Sequence, residues 1–171
     1  MPWSAKSVAN YLLDLADADG MTIDPLQMQK LVYFCEGWHL ALVGTSLVRE
    51  QFEAWKRGPV VPALYHSLKH FGFQPVSGRV QHFDPQASRV MEVDRPSDNV
   101  SRDLVKEVWS VYKRYTGPQL VGLTHLPGSP WDVTWKHANG APDARIDKGR
   151  IKEWFEGEAE RARGRNSRAD T

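Results

Sequence analysis

Hydrophobic positions spaced three and four residues apart recur along most of the chain and predict a mainly helical protein. Ser4 can cap a first helix that runs to about Ala18. Asp24-Pro25 starts a second helix that runs to about Val43, because proline is favoured at the first helical position. The second helix is apolar over much of its surface, so we expect it to lie at the centre of the core.

The remaining elements are shorter. Residues 47–56 alternate in polarity and predict an extended segment, which Arg57-Gly58-Pro59 breaks. Residues 73–97 are rich in proline and predict an irregular stretch with one or two short strands. Further helices are predicted at about 62–71, 99–115, 118–126, from 130 onward and from 148 onward. The helix at 99–115 is expected to stop at Gly117 and to bury the stripe Val100, Leu104, Val108, Val111 and Tyr112.

These patterns predict a single compact helical domain, mainly α with a small β element, at residues 1–157. From Glu158 onward glutamate and arginine alternate, and no residue is more apolar than alanine. Such a composition cannot bury enough apolar surface to order itself by packing. Residues 158–171 are therefore predicted to form a flexible charged tail.

Charge and cysteine content narrow the function classes. Lys plus Arg number 22 and Asp plus Glu 21, so the net charge is +1 and the chain has no strong field to attract nucleic acid. Cys35 is the single cysteine, so no intramolecular disulfide can form, which suits a reducing compartment. No apolar run approaches the ~20 residues that a membrane span needs. We expect a cytoplasmic protein that binds neither nucleic acid nor membrane.

Two pairs of side chains have the spacing of metal ligands on one helical face. Cys35 and His39 are four residues apart, as are His66 and His70. Zinc needs three or four ligands, and neither a Cys-x-x-Cys nor a His-Glu-x-x-His frame is present. Because Cys35 also lies in an apolar stripe, it is expected to act as a small hydrophobic residue. The sequence therefore predicts no metal, no cofactor and no catalytic residue.

Two stretches stiffened by glycine and proline carry aromatic residues, at Ala54–Pro62 and at Leu123–Trp131. Such loops suit recognition because they lose little entropy on binding. Tight corners of the core have the same composition, so that interpretation stays open. Two other hypotheses also stay open: a hydrolase or metal enzyme that uses Cys35, His39 or His125, and a phage-derived DNA-associated regulator.

Part of the sequence resembles a known family, the Panacea domain of phage-associated GepA-like proteins and SocA-type antitoxins. The resemblance spans about residues 5–155 and is carried by the runs Leu26–Phe34, Gly37–Ala41, Phe52–Pro62 with Leu64-Tyr65, and Leu123–His125 with Pro130-Trp131. It implies a non-enzymatic antitoxin that neutralises a toxin, encoded by the adjacent gene, through direct protein contact. The SocA branch further implies an adaptor that delivers the toxin to the ClpXP protease.

The resemblance and the two stiff turns together mark positions expected to bind the partner or to define the family. These positions are Trp38, His39, Trp55, Arg57, Gly58, Pro59, His125 and Trp131. The alternative is that they are structural and that residues 73–97 determine which toxin is bound. The tail from Glu158 is the expected tether to a protease.

Overall fold

Seven helices and two β-hairpins make up residues 1–169, the part of the chain that the computed structural model describes. The helices are α1 (Ala5–Ala18), α2 (Pro25–Leu42), α3 (Pro62–Leu68), α4 (Asn99–Tyr112), α5 (Gly117–Thr124), α6 (Pro130–Ala138) and α7 (Lys148–Ala169). The antiparallel hairpins are β1 (Glu53–Trp55) with β2 (Gly58–Val60), and β3 (Gln81–Asp84) with β4 (Arg89–Glu92). The predicted fold class, a single compact domain that is mainly α with a small β element, is confirmed.

Helix α2 is the centre of the molecule, as its apolar surface predicts. It packs against α1, α3, α4, α5, α7 and the first hairpin. Asp24 and Gln27 form a capping box at its start, with Pro25 in the first turn. Near its end, a Cβ atom on Gly37 would lie 2.2 Å from the Phe155 ring. Glycine is required there because α7 presses a phenyl ring against the α2 backbone.

A buried carboxylate fixes the loop between α2 and the first hairpin. Glu36 accepts hydrogen bonds from the backbone N–H groups of Leu47 (2.9 Å) and Val48 (2.7 Å) and from the Ser46 hydroxyl (2.6 Å). The Lys148 ammonium lies 3.3 Å from the same carboxylate. This arrangement satisfies a charge that the core would otherwise leave unpaired.

Helix α1 anchors the second hairpin. The Asn10 amide donates to the carbonyls of Val80 and Val93, both at 2.9 Å, and accepts from the Val80 N–H at 2.7 Å. One turn later, Asp14 pairs with Arg79 and Arg95, each at 2.8 Å. The predicted short strands within residues 73–97 are confirmed, and α1 holds them only at the base of the hairpin.

The prediction that Gly117 stops the helix at 99–115 was wrong. Helix α4 ends at Tyr112, and Gly117 is the first residue of α5. Thr116 caps α5 and forms a capping box with Gln119. The pattern Thr-x-x-Gln signals a helix start, and here it outweighs the usual association of glycine with a helix end.

The predicted buried stripe of α4 was also partly wrong. Val100 and Val111 are 55% and 49% exposed. The side chains that α4 buries are Ser101, Leu104, Val105, Val108 and Trp109. The stripe is rotated because Trp109 packs inward, where its indole N–H donates to Asp19 at 2.8 Å.

Residues 47–59 differ from the predicted single extended segment that ends at Arg57-Gly58-Pro59. Only Glu53–Trp55 forms a strand, and the chain then reverses so that Gly58–Val60 pairs with it. The glycine and proline therefore lie in a second strand rather than in a break. Pro59 is tolerated because β2 has a pairing strand on one edge only.

The charged segment from Glu158 onward is helical as far as Ala169, the last described residue. Ion pairs one turn apart support it, including Arg161 with Glu158 at 2.6 Å. Ala159 is buried, and most residues beyond it are exposed. The flexibility predicted for residues 158–171 stays a prediction, and 170–171 lie outside the described residues.

Candidate functional site

The turn between β1 and β2 has a fixed geometry set by a single glycine. Lys56 and Arg57 form the turn, and Gly58 follows with φ of +103°, a conformation that favours glycine. A Cβ atom on Gly58 would lie 2.8 Å from both Lys30 Cε and Thr124 Oγ1. The hairpin thus lies so close to α2 and α5 that only glycine fits at position 58.

Beneath this hairpin lies a buried cation. The Lys30 side chain has no exposed surface, and its ammonium donates to the Pro59 carbonyl at 2.9 Å. Among residues 1–169 no carboxylate forms an ion pair with it. Burial disfavours the charged form and lowers the pKa of Lys30 to about 7.

The corner between α5 and α6 supports the hairpin from the other side. The Trp131 indole N–H donates to the Trp55 carbonyl at 2.7 Å. The His125 ring stacks on Trp131 with centroids 3.6 Å apart and an angle of 6° between the planes. Burial, followed by the nearby Lys30 charge, lowers the pKa of His125, which favours a neutral ring. His125 Nε2 is buried without a hydrogen-bond partner in the described residues.

A cleft of about 410 Å³ opens between the first hairpin and α3. The Trp55 ring meets the Tyr65 ring edge-on with centroids 4.9 Å apart. The Arg57 guanidinium lies 5.5 Å from the centroid of the Phe73 ring, and Phe73 is 79% exposed. The cleft therefore presents aromatic surface beside a cation, a composition that is enriched where proteins bind one another.

The charge of this cleft is one-sided. Its charged lining residues are all basic, namely Lys30, Lys56, Arg57 and Lys69, and no carboxylate of residues 1–169 lines it. The whole chain, by contrast, is almost neutral. The cleft therefore has a local positive potential that net charge does not reveal.

Comparison with known proteins identifies the family. Residues 28–132 match the family described as "Antitoxin SocA-like, Panacea domain". The chain belongs to this family. Antitoxin SocA of Caulobacter vibrioides (strain NA1000 / CB15N) is 38% identical over 136 residues, which cover 80% of this chain and 71% of that protein. No solved structure matches.

The segment that matches the Panacea family contains most of the cleft and its supporting corner, but not the first and last helices. It begins inside α2 and ends inside α6, so both walls of the cleft and the corner at Trp131 lie within it. Helices α1 and α7 lie outside it. The match is narrower than the resemblance predicted over residues 5–155.

Six of the eight positions marked from sequence lie at the first hairpin or at the corner that supports it: Trp55, Arg57, Gly58, Pro59, His125 and Trp131. They have different environments. Trp55 and Arg57 line the cleft, whereas Gly58, Pro59 and Trp131 are buried. In this Panacea protein the exposed Arg57 and the half-buried Trp55 can touch a partner, and the buried residues fix where these two lie.

Trp38 and His39 lie elsewhere, toward the end of α2. The Trp38 indole N–H donates to the Tyr112 hydroxyl at 3.0 Å, and its ring packs edge-on against Phe155. His39 is buried and its Nδ1 donates to the Thr45 carbonyl at 2.5 Å. Both side chains hold α2 to neighbouring segments of the fold and do not contribute to the cleft.

Most residues that line the cleft were not marked from sequence, among them Lys30, Tyr65 and Phe73. Lys30 lies among buried positions of an apolar helix, such as Met28 and Leu31. A single lysine in such a helix is the sequence feature that could have indicated a buried amine. Phe73 follows Gly72 in a segment without periodicity, so nothing in the local pattern placed it near Arg57.

The described residues offer little support for catalysis. Cys35 is fully buried, and burial together with the adjacent Glu36 charge raises the pKa of its thiol. A reactive cysteine needs the opposite environment. Within residues 1–169 no group of three or more His, Cys, Asp or Glu side chains is arranged to hold a metal.

No helix within residues 1–169 is both long enough and apolar enough to span a membrane.

Proposed function

We propose that this protein neutralises a toxin by direct protein contact and that the cleft beside the first hairpin is the contact surface. Its Panacea family supports an antitoxin role. The location rests on the surface formed by the exposed Arg57 and Phe73 and the half-buried Trp55, which lies inside the family match. Arginine and large aromatic residues supply most of the binding energy in protein interfaces.

The rigidity of the hairpin favours this role. Lys30 and Trp131 bond to backbone carbonyls of Pro59 and Trp55, one on each strand. A surface held in this way loses little conformational entropy when a partner binds. The toxin would be a protein encoded by the adjacent gene and met in the cytoplasm.

We further propose that the antitoxin acts as an adaptor that delivers the toxin to the ClpXP protease. The exposed part of α7, beyond Ala159, is the surface we assign to the protease, because it lies outside the Panacea match. Deletion of residues 160–171 should leave toxin binding intact and slow toxin turnover in cells. Unchanged turnover in that variant would remove α7 from the mechanism.

Co-expression with the protein encoded by the adjacent gene tests neutralisation. The wild-type chain should restore growth to cells that express the toxin, and Phe73→Ser and Arg57→Glu should not. Arg89→Glu provides the matched control, because Arg89 is an exposed arginine on β4 outside the cleft. Rescue by all four proteins would place toxin contact elsewhere, and rescue by none would contradict the antitoxin role.

A further inference from the structure

We propose that the cleft binds an acidic linear segment of its partner protein, with carboxylate side chains against the basic rim and an apolar or aromatic side chain against Tyr65 and Phe73. This inference rests on the proposed function, because it names the chemistry of the toxin segment that the cleft receives. Its basis is charge complementarity, together with the shape and composition of the lining.

The rim cations have no competing anions. Lys56, Arg57 and Lys69 are exposed, and none of them forms an ion pair in the part of the chain that the structure describes. By contrast, the arginines at the base of the second hairpin are bound to carboxylates of α1. Partner carboxylates would therefore meet cations that need not first release an internal partner.

Lys30 provides the second, independent observation. It is a buried lysine that lines the cleft, and its amine makes one hydrogen bond, to Pro59, although the protonated form has three donors. Charges interact more strongly near a low-dielectric interior than in water. A carboxylate that entered the cleft would favour the protonated form of Lys30 and would also be attracted by the Arg57 guanidinium, since both residues line the cleft.

The apolar part of the lining favours a peptide over a nucleic acid. Leu26, Val60 and Leu68 contribute to the cleft together with the aromatic rings. A volume of about 410 Å³ accommodates one or two side chains. Single-stranded nucleic acid needs a basic groove that follows several phosphates, whereas this cleft is a single pocket with three exposed cations on its rim.

Selection from a random library tests the proposal without knowledge of the toxin. A phage-displayed library of random dodecapeptides would be selected on the full wild-type chain, after depletion on the Arg57→Glu variant. We expect the enriched peptides to carry several Asp or Glu residues next to an aromatic or aliphatic residue. Enrichment of basic or uncharged sequences, or no enrichment after depletion, would overturn the inference.

The best peptide would then be synthesised with an amidated C-terminus, so that only side-chain carboxylates are available. Arg57→Glu should weaken its binding at least tenfold in fluorescence polarisation, and Arg89→Glu should change it less than twofold. Replacement of its Asp and Glu by Asn and Gln should also weaken binding at least tenfold. The proposal would be contradicted if the peptide with Asn and Gln in place of Asp and Glu bound as tightly as the original. It would also be contradicted if the peptide bound only with a free C-terminal carboxylate, or if an oligothymidylate bound more tightly than the peptide.

Competition separates this inference from the proposed function. A peptide that binds the cleft and displaces the toxin supports both. If the peptide binds the cleft without displacing the toxin, the cleft chemistry stands and the proposed contact surface fails. If toxin binding depends on Arg57 while selected peptides are not acidic, the contact surface stands and the acidic-segment inference fails.

Discussion

The two hairpins of this protein are both two-stranded and antiparallel, yet their surroundings are opposite. The first is held by Lys30 beneath one strand and by Trp131 against the other. The second is anchored by Asn10 and Asp14 at its base, and Phe83 and Val90 beyond that base are 61% and 58% exposed. An isolated two-stranded hairpin is marginally stable in water. The fold therefore fixes the geometry of one hairpin and leaves most of the other on the surface.

This difference separates two ways of presenting a binding surface. The first hairpin presents side chains whose positions are determined by buried neighbours, and its cleft has a one-sided charge. The second presents Phe83 and Val90 exposed on its surface. The hypothesis that residues 73–97 determine which toxin is bound places the contact on the second hairpin, whereas our proposal requires the first hairpin and shares with that hypothesis only Phe73.

The largest expected effect is at Gly58, where backbone conformation and crowding act together. Gly58→Ala should lower the free energy of unfolding by about 2–4 kcal/mol, because the new Cβ meets Lys30 and Thr124 in a left-handed conformation. Urea unfolding would measure it. Gly78→Ala, near the second hairpin, is the control: its φ is +71° but its Cβ would meet nothing within 4 Å, so the cost should be about 1 kcal/mol. Equal costs would show that crowding at the first hairpin is unimportant.

The next effect concerns the buried cation beneath the first hairpin. The unfolded chain binds a proton at Lys30 below its ordinary pKa of 10.5, and the folded chain only below about 7. Stability therefore rises as the pH increases through this window, since the unfolded state holds more protons. Relative to Lys30→Met, the wild-type protein should gain roughly 2 kcal/mol between pH 7 and pH 9. Urea unfolding at both pH values would measure this change, and a constant difference would mean that Lys30 keeps its ordinary pKa.

A smaller effect is expected at the corner that supports β1. Trp131→Phe keeps an aromatic ring beside His125 but removes the donor to the Trp55 carbonyl, so it should cost about 1–2 kcal/mol. It should also change the fluorescence of the remaining tryptophans in the native state, because Trp55 loses its anchor. Trp135→Phe, which involves a partly exposed tryptophan of the same helix, is the matched control. Loss of stability in the control alone would contradict the assigned role of Trp131.

The smallest effect is predicted on the second hairpin. Val90→Thr exchanges an exposed β-branched residue for another and should change stability by less than about 0.5 kcal/mol. It should also leave toxin neutralisation unchanged in the co-expression assay. Loss of neutralisation with unchanged stability would transfer the contact surface to the second hairpin.

Helix starts were predictable from sequence because their causes are local. Asp24-Pro25 and Ser129-Pro130 combine a capping side chain with proline at the first helical position, and both open helices. The error at Gly117 was also local, because Thr116 supplies a cap that overrides the glycine. These elements depend on residues within one turn of each other.

The site was predictable only in part because its buried residues depend on distant contacts. The unusual Arg57-Gly58-Pro59 turn marked the first hairpin, yet its pairing into a second strand depends on β1 and α2. Lys30 precedes its partner Pro59 by 29 residues, so no local pattern shows that its charge is buried. Likewise the Arg57 and Phe73 contact forms only after α3 turns the chain back.

Toxin affinity would show whether the first hairpin is the contact surface. The purified chain and the protein encoded by the adjacent gene would be titrated by calorimetry, with Arg57→Glu and Arg89→Glu compared under the same conditions. We predict that Arg57→Glu weakens binding at least tenfold and that Arg89→Glu changes it less than twofold. Wild-type affinity in Arg57→Glu, or an equal loss in both variants, would contradict a contact surface at the first hairpin.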